Sequence, residues 1–131
     1  MQCRSLLWLC LPAAMLLAGP ATGAAAVYDK EAAATRARYA ENAKKCRKLA
    51  PAGRAGCLKQ ERVGAHAALN RTYDEAMADA RAAYAKTTAR CKTLPGPERR
   101  RCLRAARVER STAIGKAEEI RSAPLAMGGN R

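Results

Sequence analysis

Four cysteines in the body of the chain have the spacing of two disulfide bonds. The stretch CRKLAPAGRAGCLK, residues 46–59, returns 45 residues later as CKTLPGPERRRCLR, residues 91–104. Each stretch has a cysteine at its first position and another eleven residues later, with proline and basic residues between them. Zinc sites bring ligand pairs together at typical spacings of about two to four residues, so the longer spacing favours disulfides over a metal site.

Lysine and arginine gather on the same two stretches and could bind an anion. Helix N-termini bind anions through free amide protons, and neighbouring arginines strengthen such a site for phosphate or carboxylate groups. Arg99, Arg100 and Arg101 follow Pro97, where a helix dipole disfavours cations. The alternative is that these side chains form only a solvated surface. The candidate anion-binding residues are Lys44, Lys45, Arg47, Lys48, Arg54, Arg90, Lys92, Arg99, Arg100 and Arg101.

The other polar residues give little sign of catalysis. His66 is the single histidine and stands among alanines. Neither a serine, histidine and carboxylate set nor a glycine-rich phosphate loop can be assembled from the sequence. The repeated Tyr-Asp pairs at Tyr28 and Tyr73 fit tyrosines on a helix seam better than a site. The sequence therefore predicts a protein that is not an enzyme, with no catalytic residue, metal or cofactor.

The first 26 residues have the layout of a secretory signal peptide. A short basic start is followed by the apolar stretch LLWLCLPAAMLLAG and by the small residues ATGAAA. We expect cleavage after Gly23 or Ala26, and hence a periplasmic or secreted protein. The alternative is an uncleaved membrane anchor, against which Pro12 and Pro20 count. After cleavage, no transmembrane span is expected.

The mature chain has a composition that favours helices with a thin core. Cleavage after Gly23 leaves 108 residues with 24 Lys or Arg and 11 Asp or Glu, a net charge of +13. Only 11 of these residues are Leu, Ile or Val, and none is Phe or Trp. The 28 alanines are strong helix formers, as are most of the Arg, Lys, Glu and Gln that accompany them. We expect local cross-links to replace some of the buried apolar contacts.

A period of 45 residues extends well beyond the cysteines and indicates one structural unit used twice. The matching pairs share residue type at that fixed offset. They are Tyr28 and Tyr73, Asp29 and Asp74, Arg36 and Arg81, Tyr39 and Tyr84, Cys46 and Cys91, Leu49 and Leu94, Arg54 and Arg99, Cys57 and Cys102, Leu58 and Leu103, Arg62 and Arg107, and Val63 and Val108.

Each unit has a heptad-like stripe typical of a helix facing a partner helix. The stripes are Tyr28, Ala32, Thr35, Tyr39, Asn42, Cys46 and Leu49, and Tyr73, Met77, Ala80, Tyr84, Thr87, Cys91 and Leu94. Proline and glycine interrupt them, because proline lacks an amide proton and clashes with the preceding turn. The predicted helices span residues 28–49, 53–93 and 97–121. The first unit is residues 27–72, the second is residues 73–121, and residues 122–131 form a disordered tail.

The helices restrict how the four cysteines can pair. A continuous middle helix would separate Cys57 from Cys91 by about 50 Å, whereas a disulfide tolerates a Cα separation of about 4.4–6.8 Å. The pairs that fit are Cys46 with Cys57 and Cys91 with Cys102. The predicted fold is all-α, with three antiparallel helices forming two tandem disulfide-stapled hairpins in an elongated rod. A bend between Gly64 and Asn70 would instead let the hairpins fold together.

Two resemblances accompany these motifs. The paired Cys-x-x-Leu turns between tyrosine- and alanine-rich helices, behind a signal peptide, resemble small exported proteobacterial proteins, some labelled envelope or TolA-like. That likeness covers about residues 28–110 and implies location and fold. The segment ALNRTYDEAM, residues 67–76, resembles periplasmic lysozyme-inhibitor helical domains. A strongly cationic chain would repel the cationic lysozymes of the common animal type, which argues against that activity.

Charge and export together predict an envelope-associated binding or structural role. The anions available outside the cytoplasm are lipopolysaccharide, anionic lipid and acidic cell-wall polymer, and export argues against nucleic acid. The alternative function is a lysozyme-inhibitor-like or chaperone-like protein-binding module, and the alternative partner is an envelope protein. Helix seams made of alanine and tyrosine also leave self-association through a coiled coil open.

Overall fold

Three long helices account for almost all of the chain in the structure, a computed structural model that describes residues 21–125. They are α1 (Ala21–Arg47), α2 (Pro51–Lys92) and α3 (Gly96–Ser122). α1 packs on α2, and α3 packs on α2. A disulfide joins the end of α1 to the start of α2, and another joins the end of α2 to the start of α3. The predicted all-α fold of two stapled hairpins is therefore confirmed.

Parts of the predicted signal peptide and tail fall outside the structure. Residues 1–20 and 126–131 lie outside the described residues. α1 begins at Ala21, so both predicted cleavage positions, after Gly23 and after Ala26, lie within its first two turns. Its first residues are mostly alanine, which explains why the helix extends upstream of Tyr28.

The prolines mark helix starts, which shifts the predicted boundaries. α2 begins at Pro51 rather than at residue 53, and α3 at Gly96, directly before Pro97. Proline is tolerated in a first turn because its missing amide proton would have no partner there, and its fixed φ suits a helix. Neither helix has a side-chain hydrogen bond from its N-cap residue, Ala50 or Pro95.

The middle helix is continuous and sets the length of the molecule. α2 runs for 42 residues without a break, through both Gly64 and Asn70. At about 1.5 Å per residue it is about 63 Å long. The arrangement is elongated, because α2 is not interrupted at these residues and α1 and α3 pack mainly on α2 and little on each other.

The core of the described residues is small and lies in the middle of the rod. One cluster takes a buried residue from each helix, namely Ala32, Leu69 and Ile120. Leu69 has the largest of the fully buried side chains. Because all three helices contribute, this cluster is where α1 and α3 overlap along α2. Burial of so few large side chains gives limited hydrophobic stabilisation.

A second cluster fills the first hairpin. Tyr39 and Ala43 on α1 pack with Ala65 on α2, and Leu58 lies against them. Leu125, which falls within the predicted disordered tail, packs against both clusters. The chain therefore stays in contact with the helices for three residues beyond the end of α3.

α1 and α3 are also joined directly by a side chain. Arg36 on α1 donates a hydrogen bond of 2.7 Å to the carbonyl oxygen of Ile120, in the last turn of α3. A cation near the last carbonyls of a helix is favoured by the helix dipole. The two outer helices thus cover opposite halves of α2, as expected, and additionally meet in the middle.

Candidate anion-binding tips

Each disulfide holds the two helices of a hairpin together beside its turn. The Cα atoms of Cys46 and Cys57 are 5.6 Å apart, and those of Cys91 and Cys102 are 5.5 Å apart. Cys46 and Cys91 are buried, at 1% and 0% exposure. The predicted pairing is the one observed. We call residues 44–59 the first tip and residues 89–104 the second tip.

The two tips have matching turns. In both, an arginine on the second helix donates to the carbonyl oxygen of the leucine that follows the first helix. Arg54 donates to Leu49 at 3.3 Å, and Arg99 donates through Nε to Leu94 at 3.1 Å. These arginines satisfy carbonyl oxygens of the turn, which lies between the two helices of the hairpin. Sequence reasoning missed this role, which gives Arg99 a local structural reason to occupy the start of α3.

Three of the other candidate residues have contacts within the same hairpin. Lys44 forms an exposed ion pair of 2.8 Å with Glu41, which lowers the pKa of that carboxyl group. Arg101 pairs with Glu98 at 3.4 Å. Arg47 donates to the carbonyl oxygen of Ala43 at 3.3 Å. Exposed pairs of this kind contribute little to stability, so Lys44 and Arg101 can exchange their partners for another anion at small cost.

The remaining candidates are exposed around the ends of the rod. They are Lys45, Lys48, Arg90, Lys92 and Arg100. Arg54 and Arg99 are exposed as well, and the bond of each to its turn uses one of five guanidinium donors, whereas Arg47 is half-buried. All of the predicted residues except Arg47 therefore belong to the candidate surface for an anion.

Charge is distributed unevenly along the rod. The first tip has six Lys or Arg and no acid, a net charge of +6, and the second has six Lys or Arg and one acid, a net charge of +5. The middle band, defined as residues 28–36, 70–81 and 113–122, has six Lys or Arg and seven acids, a net charge of −1. The helix register places these three segments side by side, since Tyr28 contacts Asp79 and Tyr73 contacts Glu118. Positive charge is thus concentrated at the two ends.

An exposed leucine lies at each turn, contrary to the stripe prediction. Leu49 and Leu94 end the predicted stripes, but they follow α1 and α2 and are 46% and 36% exposed. The stripes therefore stop at Cys46 and Cys91, because the chain leaves the helix before it reaches the next seam position. Each tip combines a cationic rim with one exposed leucine side chain.

The middle band has two tyrosine–carboxylate hydrogen bonds between helices. Tyr28 on α1 donates to Asp79 on α2, and Tyr73 on α2 donates to Glu118 on α3 at 2.9 Å. The bond to Asp79, assisted by partial burial, raises the pKa of Tyr28 to about 12. The bond to Glu118 likewise raises the pKa of Tyr73. Phenols whose protons are held this firmly serve to join helices, as the seam interpretation of these residues predicts.

Equivalent clefts occur in the two hairpins, and sequence reasoning missed them. The first has a volume of about 280 Å³ and is polar, and the second has a volume of about 40 Å³ and is mainly apolar. Asn42 and Glu61, which share a hydrogen bond of 2.8 Å in the first, correspond at the 45-residue offset to Thr87 and Ala106 in the second. The signal for this difference in the sequence is the mismatch at the 45-residue offset, Asn42 against Thr87 and Glu61 against Ala106.

Within residues 21–125, no three His, Cys, Asp or Glu side chains come together in a way that could hold a metal ion. His66 is exposed on α2. None of the three described helices combines the length and the apolar character needed to cross a membrane. Comparison with protein-family models, with curated proteins and with solved structures finds no match for this chain.

Proposed function

We propose that this chain is a non-enzymatic, exported protein that binds an anionic component of the cell envelope through its two basic tips. The observation that carries the proposal is the division of charge: +6 and +5 at the tips against −1 in the middle band. A surface that only needed solubility would not require this separation, because dispersed charge also keeps a protein soluble. The candidate ligands share phosphate or carboxylate groups, as in lipopolysaccharide, anionic lipid and acidic cell-wall polymer.

Two features of the tips support their use as binding sites. The disulfide and the arginine cap hold each turn, so little backbone ordering is needed when an anion binds. The exposed cations are held on the ordered helices and turns of the tip, so each can contact an anion without a rearrangement of the backbone. Disulfides also fit the oxidising compartment that the signal peptide predicts.

The matching turns support a further part of the proposal, that the hairpins are two copies of one binding unit. Besides the arginine caps, the backbone hydrogen bonds agree at the 45-residue offset. Leu49 donates to the carbonyl oxygen of Cys46 at 3.1 Å, and Leu94 donates to that of Cys91 at 3.2 Å. Each copy then offers the same chemistry at one end of the rod.

Co-sedimentation of the oxidised mature protein with isolated cell envelope tests the proposal. We expect binding at about 50 mM salt that weakens steeply at about 200 mM, because the Debye length shortens over that range. Binding that ignores salt, or no binding at low salt, would contradict the proposal and direct the search to protein partners such as lysozyme or chaperone clients.

Matched variants locate the binding surface. R100Q with R101Q removes two cations from the second tip and leaves the Arg99 cap in place. K30Q with R81Q removes two exposed cations from the middle band. At about 1 kcal/mol for each cation near an anionic membrane, the altered tip should bind envelope roughly 30-fold more weakly, and the intact first tip limits the loss for the whole protein. Equal loss in the two variants would mean that net charge alone, and not the tips, determines binding.

A further inference from the structure

The two tips lie at opposite ends of one continuous helix. Cys57 and Cys91 are both in α2, 34 residues apart, which corresponds to about 51 Å along the helix axis. The turns extend beyond them, to the two ends of a helix about 63 Å long. The hairpins therefore face in opposite directions along the rod.

Each end has the chemistry of an interfacial membrane contact. Leu49 and Leu94 occupy equivalent positions at the turns and are both exposed. Val63 and Val108 recur in the same way and are more exposed, but they lie on the helices outside the tips, whereas each leucine lies at a turn among six cations. An apolar side chain surrounded by Lys and Arg fits the boundary between anionic headgroups and acyl chains.

We propose that the protein links two anionic phospholipid bilayer surfaces, with one tip on each. The inference rests on the proposed anion binding by the tips and adds the class of ligand and the geometry of the complex. A rod that stands between two surfaces can insert both leucines, since each leucine lies at an end. The middle band, with a net charge of −1, adds no attraction that would hold the side of the rod against a bilayer.

The disulfides keep the two ends of the rod rigid. Each joins the helices next to the turn, with Cα atoms 5.6 and 5.5 Å apart, so the tips cannot open when they contact a surface. The three-helix overlap around Leu69 and the hydrogen bond from Arg36 to Ile120 hold the centre. The expected separation of the linked surfaces is therefore close to the length of the rod, about 60–70 Å.

Capture of free vesicles on a supported bilayer tests the inference. Both membranes are phosphatidylcholine with phosphatidylglycerol, and phosphatidylcholine alone is the uncharged control. The oxidised mature protein should bind the supported bilayer and then capture vesicles from solution. Absence of binding to the phosphatidylglycerol membrane, or equal binding to phosphatidylcholine alone, would overturn the inference, whereas the proposed function fails only if envelope co-sedimentation also fails. Binding without capture would leave the proposed function standing and overturn the inference.

Variants of single tips separate linkage by the rod from linkage by self-association. K45Q with K48Q weakens the first tip, and R100Q with R101Q weakens the second. With two cations removed, the altered tip should bind a bilayer roughly 30-fold more weakly. The protein should still bind the supported bilayer through its intact tip, but it should capture few vesicles because the altered tip no longer holds them. Capture that persists at the normal level in both variants would mean that associated copies link the membranes, and would overturn the inference. The variant K30Q with R81Q matches the charge loss and should capture normally.

The spacing between captured membranes gives an independent measurement. Small-angle X-ray scattering from vesicle stacks should give a water gap of about 60–70 Å, set by α2. A gap of about 20 Å, the width of two helices, would mean that the rod lies flat between the bilayers and would also overturn the inference. Replacing both Leu49 and Leu94 by glutamine should reduce capture without changing the charge.

Discussion

Removing either disulfide should destabilise the chain by a large fraction of its total stability. The two variants are C46A with C57A and C91A with C102A. Alanine is chosen because Cys46 and Cys91 are almost fully buried, and a serine hydroxyl there would add a desolvation cost. Both disulfides join cysteines eleven residues apart, and the chain-entropy model gives about 3 kcal/mol for a loop of that size.

That free energy corresponds to a large change in melting temperature. For a domain of about 100 residues, 1 kcal/mol lowers Tm by roughly 4–8 °C, so each variant should melt roughly 10–25 °C below the oxidised protein. Thermal unfolding followed by far-ultraviolet circular dichroism measures this directly. Reduction of the unaltered chain provides a check, because it should lower Tm by more than either variant does.

The two variants should differ in which residues lose protection from hydrogen exchange. Beside the first tip lies the cluster of Tyr39, Ala43 and Ala65, whereas the buried apolar residues nearest the second tip are Cys91 and Ala106. Hydrogen exchange followed by mass spectrometry should therefore show a wide loss of protection around residues 86–104 in the second variant and a narrower loss in the first. A fall in Tm of only a few degrees in both variants would refute the reasoning that the staples replace core packing.

Three further substitutions test the centre of the rod. L69A should cost about 2–5 kcal/mol in chemical denaturation, because it empties the largest fully buried site; a cost under 1 kcal/mol would mean that the helices close over the cavity. G64A should stabilise by about 0.5–1 kcal/mol, since an added methyl group meets no atom within 4 Å outside the helix's own nearby backbone, and a loss of stability would contradict a regular helix at this position. The Tyr28 bond to Asp79 should contribute stability up to about pH 10 and lose it as the pH rises towards 12, because the folded-state pKa is raised above 10.0. Y28F should remove the loss of stability at high pH, and it should remove the ionisation near pH 12 from an ultraviolet titration of the tyrosines. A titration curve that does not change in Y28F would contradict the assignment of this ionisation to Tyr28.

The fold could be predicted from sequence largely because its determinants are local. Helix propensity, the prolines at the turns and the eleven-residue spacing of Cys46 and Cys57 are all properties of short segments. The contacts between helices that are distant in sequence were harder to predict. The contact between α1 and α3, made by Arg36 and Ile120, depends on how two helices distant in sequence overlap along α2. No periodicity in either helix specifies that overlap.

The candidate site was predicted by residue type but not by role. Counting cations found the tips, but it did not find that Arg54 and Arg99 each also donate to a carbonyl oxygen of the turn. Extrapolating the heptad assigned Leu49 and Leu94 to the buried seam, although both lie after the helix end. Both differences arise where a helix stops, because side-chain periodicity holds only while the backbone stays helical.

The position of the staples follows from the position of the charge. Each tip gathers six cations within 16 residues, and like charges so close together oppose the compact state. Alanine-rich helices with few large apolar side chains offer little packing to offset that repulsion, and the core clusters lie mainly in the middle band and the first hairpin. A covalent link acts without any apolar surface, so it can hold a turn whose outer face is cationic. In the middle band, where the net charge is −1, the helices are joined instead by packing and by tyrosine–carboxylate hydrogen bonds. The covalent links therefore occur at the tips, where like charges repel one another, and packing and hydrogen bonds occur in the middle band, where the charge is nearly balanced.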